Sequence, residues 1–208
     1  MSSIRVLVVE DEPLIAEDIR ETLDNIDFEV SGVAYDSDVA LQQLATNTPD
    51  IVLLDVNLGS ELDGIDIAQL INKKYQIPFI YLTSYADRGT VDRAKHTRPM
   101  GYIVKPFDER DLFTTLEIAL HNYSQSQPKI ELDINVLNGK LLGKLTQKEF
   151  EILKSIFDGK TNRQMAEEHF ISLNTIKTHV KNLYDKLDVH TRTQAIAKLR
   201  EMSAYHSG

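Results

Sequence analysis

The sequence predicts an α/β domain built on a five-stranded parallel sheet, followed by a smaller domain made entirely of helices. Up to about residue 123, short runs of apolar, strand-forming residues alternate with segments whose apolar residues recur at helical spacing. From Leu145 onward only the helical spacing remains. Alternating strands and helices favour a parallel sheet covered by helices on both faces and connected by right-handed crossovers.

The composition is that of a globular protein with one or two domains. The chain has 208 residues, of which 42% are hydrophobic and 26% are charged, and each domain is large enough for its own core. It contains no cysteine, so disulfides, thiolate metal sites and cysteine nucleophiles are excluded. No apolar run is long enough to cross a bilayer, and Met1-Ser2-Ser3 leads directly into a strand. We therefore expect a cytoplasmic protein with no membrane partner.

The charge is distributed unevenly along the chain. The formal net charge is −9, with residues 1–128 carrying 10 Lys and Arg against 22 Asp and Glu. Residues 145–208 carry 10 basic against 8 acidic side chains. An acidic front half joined to a mildly basic back half predicts two domains with different partners.

Each element of the first domain follows from a local pattern. The predicted strands are Ile4–Val9, Phe28–Ala34, Ile51–Asp55, Phe79–Leu82 and Tyr102–Val104. Five helices are predicted. The first begins at Pro13, the second includes Val39–Leu44, the third includes Ile65–Ile71, the fourth lies around Thr90–His96, and the fifth runs from about Glu109 to Tyr123. Pro13 suits a first helical turn, where no backbone N–H is needed. The apolar run that ends in Asp55 indicates a buried strand, although periodicity alone also allows a helix segment.

The domain boundary is predicted at Ser124–Pro128, a polar stretch without periodicity. This gives a first domain at residues 1–123, a linker at 124–143 and a second domain at 144–208. Within the linker, the Asn138-Gly139 pair between apolar residues is able to close a small hairpin. An extended linker through Ile130–Leu142 explains the same residues, and the pattern does not choose between the two.

Four helices are predicted in the second domain from their start signals. Three times a threonine is followed three positions later by Glu or Gln, as at Thr146–Glu149, Thr161–Gln164 and Thr191–Gln194. Each pair matches a capping box, in which the two side chains satisfy backbone N–H groups at a helix start. A fourth start is predicted at Ser172–Thr175. The second and third helices are therefore separated by only a few residues.

Polar side chains follow the predicted strands of the sheet at their carboxyl ends, where open α/β sheets bind ligands. Glu10 and Asp11 follow the first strand, Asp55 ends the third, Thr83 follows the fourth and Lys105 follows the fifth. Clustered carboxylates form a hard oxygen site of the kind that binds Mg²⁺. An adjacent lysine and hydroxyl provide the contacts that phosphoryl transfer needs, with Asp55 as the nucleophile. Solvated residues at loop starts explain any one of these residues, but explain the whole set poorly.

These residues carry a family resemblance. The motifs Val8–Pro13, Leu53–Asp55, Leu82–Ser84 and Tyr102–Phe107, in this order, resemble the receiver domain of two-component response regulators. The resemblance spans residues 4 to about 123. It implies the flavodoxin-like fold with strand order 2-1-3-4-5, for which a receiver protein is a standard example.

The same resemblance implies a role for each site residue. Asp55 would accept a phosphoryl group from a histidine kinase, while Thr83 and Lys105 would bind the phosphoryl oxygens. The ligands of Mg²⁺ would be Glu10, Asp11, Asp55 and the backbone carbonyl of Asn57. Tyr102 would be an aromatic switch that changes rotamer when Thr83 moves inward, although an ordinary core aromatic is the alternative. The Lys105–Pro106 peptide bond would be cis.

The chain departs from the family pattern in two places. Gly59 lies where the family usually has a proline, and Gly64 lies nine positions after Asp55 instead of eight. One extra residue is therefore predicted in the Gly59–Leu62 loop. The unusual stretch Thr97–Gly101 predicts a short fourth helix. Near the site, Asn57 and Tyr85 occupy positions where family members vary, and we expect them to set the lifetime of the phosphoryl group.

The predicted third helix of the second domain has two distinct faces. Ile176, Val180, Leu183 and Leu187 lie on one apolar face, whereas Lys177, Thr178 and Lys181 lie opposite. A helix with such a polar face, after a capped helix and a short turn, suits the major groove of DNA. On charge alone, a solvated lysine face explains it better.

The sequence on both sides of this helix favours DNA binding over a solvated lysine face. Leu145–Leu153, Thr161–Ala166, Thr175–Val180 and Lys186–Ala195 closely resemble the LuxR/NarL-type helix-turn-helix, over residues 145 to about 200. The likeness implies that Lys177, Thr178 and Lys181 face bases and backbone of double-stranded DNA. His179 also matches a family position, but it flanks the buried face, so we interpret it as a packing residue. It also implies that the last helix, Thr193–Met202, pairs across a two-fold axis.

The sequence therefore predicts a response regulator that controls transcription, with no enzymatic activity beyond Mg²⁺-dependent phosphoryl transfer to and from Asp55. A homodimer is expected on phosphorylation. An aspartyl-phosphate phosphatase is a weaker alternative, because Asn57 stands where that chemistry needs a second Asp. A phosphorylation-independent regulator or a protein-interaction adaptor is the other alternative, and salt-sensitive DNA binding that depends on Lys177 and Lys181 distinguishes it.

Overall fold

The computed structural model describes residues 3–84, 88–141 and 143–204. It divides into two compact units, one formed by Arg5–Leu120 and the other mainly by the residues from His121 onward. Tyr85 lies outside the described residues, so its predicted role has no structural counterpart here.

The first unit is built on a parallel sheet with the predicted strand order 2-1-3-4-5. The strands are β1 (Ile4–Val9), β2 (Phe28–Ala34), β3 (Ile51–Asp55), β4 (Phe79–Thr83) and β5 (Gly101–Val104). All residues of β3 and β4 are buried, because helices cover both faces of the central strands. At the β5 edge, Tyr102 and Val104 are exposed whereas Ile103 is buried.

The helices of this part of the chain are α1 (Pro13–Asn25), α2 (Ser37–Thr46), α3 (Gly64–Leu70), α4 (Arg88–Lys95) and α5 (Glu109–Ser126). α3 begins with a capping box between Asp63 and Asp66, and it continues into a π-helical turn at Ile71–Tyr75. As the sequence predicts, α4 is short, with eight residues. It is followed by Arg98, whose φ of 55° lies in the left-handed region.

The strand register determines where the site lies. Asp55 pairs with Leu82, and Thr83 pairs with Val104. The residues that end β3, β4 and β5 therefore reach the same edge of the sheet. On one face of the sheet, the space behind that edge is filled by a continuous apolar core that includes Leu54, Ile67 and Tyr81.

Within the described part of the chain, the second unit contains five further helices. These are α6 (Ile134–Lys140), α7 (Gln147–Phe157), α8 (Asn162–Glu168), α9 (Leu173–Leu187) and α10 (Arg192–Ala204). α7 to α10 are the four predicted helices. Their shared core contains the predicted apolar face of α9, with Ile176, Val180, Leu183 and Leu187 all buried.

Residues 134–140 form the helix α6, so the hairpin and the extended linker expected there are both wrong. Asp133 caps α6 by accepting a hydrogen bond of 2.7 Å from the N–H of Asn135. The Asn138 side chain bonds both backbone groups of Leu145, at 2.7 Å to its N–H and 3.3 Å to its carbonyl. Leu137 is buried in the helical core. The contacts of Asn138 and Leu137 with the rest of the unit outweigh the local turn preference of Asn138-Gly139.

The capping boxes at Thr146 and Thr161 are complete. The third is only half formed. Thr191 Oγ1 accepts a bond from the N–H of Gln194, but the Gln194 side chain accepts from the N–H of His190 instead of that of Thr191. Ser172 caps α9 as predicted.

Candidate functional sites

Three acidic side chains meet at the carboxyl edge of the sheet. Glu10, Asp11 and Asp55 each offer an oxygen atom within 4.8 Å of the others. Glu10 is fully buried, Asp55 is 5% exposed and Asp11 is half-buried. Carboxylates this close repel one another, so the arrangement favours a bound cation.

Lys105 supplies the nearest cation. Its Nζ lies 2.5 Å from Glu10 Oε2 and 2.5 Å from Asp55 Oδ2, and its side chain is only 8% exposed. Burial would lower the pKa of Lys105, but hydrogen bonds to Asp55 and Glu10 outweigh burial and raise that pKa. Burial raises the pKa of Glu10, although Lys105 opposes the shift. Lys105 therefore stays protonated, and it pairs directly with two of the three carboxyl groups.

The loop after β3 is held against this cluster. The N–H of Asn57 donates to Asp55 Oδ1 at 2.9 Å, and the N–H of Gly59 donates to Asp11 Oδ2 at 3.1 Å. The loop also reaches the start of α2, since Ser60 Oγ accepts a bond of 3.3 Å from the N–H of Ser37. The loop in which one extra residue is predicted therefore folds over the acidic cluster.

Gly64 closes that loop at a very tight approach. Its N–H donates to the carbonyl of Val56 at 3.1 Å. A Cβ atom at this position would lie 1.9 Å from the carbonyl oxygen of Asp55. No side chain fits there, which explains why glycine is needed despite the shift of one position.

Thr83 carries a polar group that is buried without a partner. Within the described residues, its Oγ1 accepts and donates no hydrogen bond, although Thr83 is only 7% exposed. Buried hydroxyl groups are normally paired, because burial without a partner is costly. Together with the acidic cluster and Lys105, this hydroxyl fits a site that is completed by a phosphoryl group and a divalent cation.

Tyr102 lies beside this site on β5 and is 43% exposed. Its ring centroid is 5.6 Å from that of Tyr81 on β4. The Lys105–Pro106 peptide bond that follows is cis, as the resemblance implies.

The polar face of α9 is the candidate DNA-contacting surface. Thr178 and Lys181 are exposed, whereas Lys177 and His179 are half-buried. Thr178 Oγ1 donates to the carbonyl of Asn174 at 3.0 Å. The three predicted DNA-contacting residues thus lie on one helix, away from the buried face of α9.

Sequence reasoning missed several polar contacts near the site. Arg93 of α4 reaches Asp63, the N-cap of α3, at 2.8 Å. Tyr81 bonds Thr97 at 2.8 Å inside the core. No local sequence pattern predicts either pair, because Arg93 and Asp63 are 30 positions apart and Tyr81 and Thr97 are 16 positions apart.

The fold and the acidic edge define a receiver-type signalling domain, and the second unit defines a helix-turn-helix domain. Comparison with known proteins agrees. Residues 6–117 match the response regulator receiver domain, and residues 143–199 match the luxR family of bacterial regulatory proteins.

Two curated bacterial regulators match the chain along nearly their whole length. The transcriptional regulatory protein LiaR of Bacillus subtilis is 31% identical over 207 residues, which covers 92% of this chain and 94% of LiaR. The response regulator protein VraR of Staphylococcus aureus is 30% identical over 199 residues, covering 93% of this chain and 95% of VraR.

Among solved structures, the receiver domain of a modulated diguanylate cyclase from Desulfovibrio desulfuricans is similar, with a TM-score of 0.57 and 33% identity. It covers 59% of this chain and 98% of its own. The chain belongs to the two-component response regulators, as a DNA-binding member with a luxR-type output domain. Across the described residues, no helix combines the length and apolar character needed to span a membrane.

Proposed function

We propose that Asp55 accepts a phosphoryl group from a histidine kinase, and that phosphorylation changes self-association or domain contacts and thereby DNA binding. The observation that carries the proposal is the unpaired buried hydroxyl of Thr83 beside Asp55 and Lys105. Such a hydroxyl gains a partner when a phosphoryl group is attached to Asp55.

The transfer itself needs little from the protein beyond position and charge. A carboxylate oxygen of Asp55 attacks the phosphorus atom, the bond from phosphorus to the donor nitrogen breaks, and the histidine leaves with that electron pair. Lys105 and Thr83 would then bind phosphoryl oxygens. Glu10, Asp11, Asp55 and the carbonyl of Asn57 would hold Mg²⁺, which would neutralise charge on the transferring group.

The first test uses the full chain with Mg²⁺ and a small acyl phosphate. We expect the intact mass to increase by one phosphoryl group in the wild type and to stay unchanged in Asp55→Asn. Asp18→Asn, which alters an exposed acid on α1, should behave as the wild type. Phosphorylation of Asp55→Asn to the wild-type extent would contradict the assignment.

Self-association is measured on the same samples by solution mass. A shift from monomer to dimer in the wild type alone would link Asp55 to assembly. A phosphorylated wild type that shows no shift would support altered domain contacts instead. Autodephosphorylation is the only other reaction we assign to Asp55, and its rate is followed by the decay of the phosphorylated mass.

DNA contact through Lys177, Thr178 and Lys181 is tested by salt dependence. Each phosphate contact contributes about 0.9 to the slope of log affinity against log salt. With a mixed-sequence duplex, Lys177→Ala with Lys181→Ala should lower that slope by up to about 2, and Thr178→Ala by less. Lys154→Ala on α7 is a charge-matched control for each lysine substitution. Unchanged binding in the double variant would favour a protein-interaction adaptor.

A further inference from the structure

Tyr81 connects the central sheet to the end of α4. Its side chain is fully buried, and its hydroxyl lies 2.8 Å from Thr97 Oγ1. Thr97 Oγ1 also donates to the carbonyl of Ala94 at 2.6 Å. A threonine hydroxyl has one proton, so the bond between the two hydroxyls must be donated by Tyr81.

Thr97 is fixed from a second direction as well. Its carbonyl accepts a hydrogen bond of 2.5 Å from the Asn72 side chain in the π-helical turn after α3. The next residue, Arg98, has a left-handed φ of 55°. A non-glycine residue keeps such a conformation only where its surroundings determine it. The contacts of Thr97 therefore define how the chain leaves α4.

The ring of Tyr81 also contacts the proposed switch residue. Tyr81 and Tyr102 pair directly across β4 and β5, and their ring planes are inclined at 34°. Thr83 lies two positions after Tyr81 on the same strand, and alternate residues of a strand share a face. Thr83, Tyr81 and Tyr102 thus lie on one face of the sheet near the acidic edge, and Tyr81 connects that face to Thr97 at the end of α4.

We propose that Tyr81 is a positioning residue of the phosphorylation switch, which holds the end of α4 through Thr97 and moves with Tyr102. The proposal rests on the proposed phosphorylation of Asp55. When Tyr102 turns toward Thr83, its contact with the Tyr81 ring changes. The bond from Tyr81 to Thr97 carries that change to α4. Burial raises the pKa of the Tyr81 phenol, so this group remains a hydrogen-bond donor throughout the physiological range.

Two near-isosteric variants remove the bond. Tyr81→Phe removes one oxygen atom and keeps the ring contacts with Phe79 and Tyr102. Thr97→Val removes the acceptor, together with the bond that Thr97 donates to Ala94. Tyr35→Phe makes the same chemical change at a tyrosine that is 48% exposed, and it serves as the control. All are made in the full chain and examined by amide hydrogen exchange, with and without Mg²⁺ and fluoroberyllate as the phosphoryl mimic.

In the absence of the mimic, Tyr81→Phe should accelerate exchange in residues 94–101 by up to about tenfold, the factor for one lost hydrogen bond. Thr97→Val should accelerate it more, because this substitution also removes the bond from Thr97 to the carbonyl of Ala94. The double variant should show no more than Thr97→Val alone, because the bond between Tyr81 and Thr97 is already absent there. Fluoroberyllate should change exchange at residues 94–101 in the wild type and in Tyr35→Phe, but much less in Tyr81→Phe.

Amide hydrogen exchange at residues 51–58, around Asp55, distinguishes failure of the inference about Tyr81 from failure of the proposed phosphorylation. A Tyr81→Phe variant that responds to fluoroberyllate at both segments as the wild type does would reduce Tyr81 to a structural role and overturn the inference alone. A wild type in which neither segment responds would overturn the proposed phosphorylation and the inference together.

Discussion

Two groups of this protein each pair a lysine with a buried carboxylate, and they differ in how completely their polar atoms are paired. At the sheet edge, Lys105 bonds Glu10 and Asp55, with Asp11 close by. In the helical unit, Lys186 lies 2.6 Å from both oxygens of Glu149 and 3.0 Å from the carbonyl of Lys144.

The helical group is complete. Glu149 Oε2 also accepts bonds from the N–H and the hydroxyl of Thr146, at 2.7 and 2.9 Å. Burial opposes ionisation of Glu149, but Lys186 and Thr146 outweigh it and lower the pKa of Glu149. At the sheet edge the pKa of Glu10 is raised instead, and the hydroxyl of Thr83 has no partner among the described residues.

This difference separates a structural group from a binding group. Glu149 and Lys186 balance one another and join α7 to the end of α9. The sheet edge has an excess of negative charge and an unused hydroxyl, both of which cost stability unless a cation and an anionic group bind. Incomplete pairing, rather than burial of charge, is therefore the feature that indicates function.

The largest effect is expected for Lys105→Met. Removing the lysine leaves Glu10 and Asp55 facing each other without a cation, which should lower the free energy of unfolding of the first unit by about 3 kcal/mol near pH 8. Added Mg²⁺ should recover part of the loss by binding the freed carboxylates. Amide hydrogen exchange of β1 and β3 in the full chain measures both values.

The pH dependence of that loss has a definite sign. The folded-state pKa of Glu10 is already raised by burial, and loss of Lys105 raises it further. The associated penalty therefore grows as pH rises through this pKa and fades as pH falls below it. A loss in Lys105→Met that is independent of both pH and Mg²⁺ would show that the acidic cluster does not act as a cation site.

A smaller effect, with no response to Mg²⁺, is expected for Lys186→Met. Glu149 keeps its bonds to Thr146, so we expect the helical unit to lose about 2 kcal/mol, the value of a hydrogen bond to a charged group. Exchange of α7 and α9 amides provides the measurement. If Mg²⁺ restored this variant as it restores Lys105→Met, the contrast between the two groups would be wrong.

The sequence predicted features that depend on local patterns. The strands followed from apolar runs, the helix starts at Thr146, Thr161 and Ser172 from their caps, and the site from residues at strand ends. It could not predict α6, because the hairpin preference of Asn138-Gly139 is local whereas the bonds of Asn138 to Leu145 are tertiary.

Local sequence patterns also could not predict which side chains pair with one another at the site. The sequence placed Lys105 at the edge as a ligand for phosphoryl oxygens, but it did not show that Lys105 first pairs with Glu10 and Asp55. Tyr81 looked like one more apolar residue of a buried strand. Its bond to Thr97 exists only because β4 and the end of α4 pack together.

The smallest expected effect is the stability lost when an N-cap is removed, and it can be compared at two capping boxes of the helical unit. Thr146→Ala and Thr161→Ala should each cost about 1 kcal/mol at neutral pH, the usual value of an N-cap. The two differ in their third residue, because the Thr146 box uses the ion-paired Glu149 whereas the Thr161 box uses the neutral Gln164.

Acidification should therefore separate the two variants. Stability from the lowered pKa of Glu149 is present above its ordinary value of 4.5 and is lost as pH falls through the folded-state pKa. Thr146→Ala removes one bond to Glu149 and brings that pKa closer to 4.5, so its cost should shrink in acid. The cost of Thr161→Ala should stay constant over the same range. Exchange of α7 and α8 amides between about pH 3 and 7 measures both costs, and parallel pH profiles would show that Thr146 caps α7 without contributing to the ion pair.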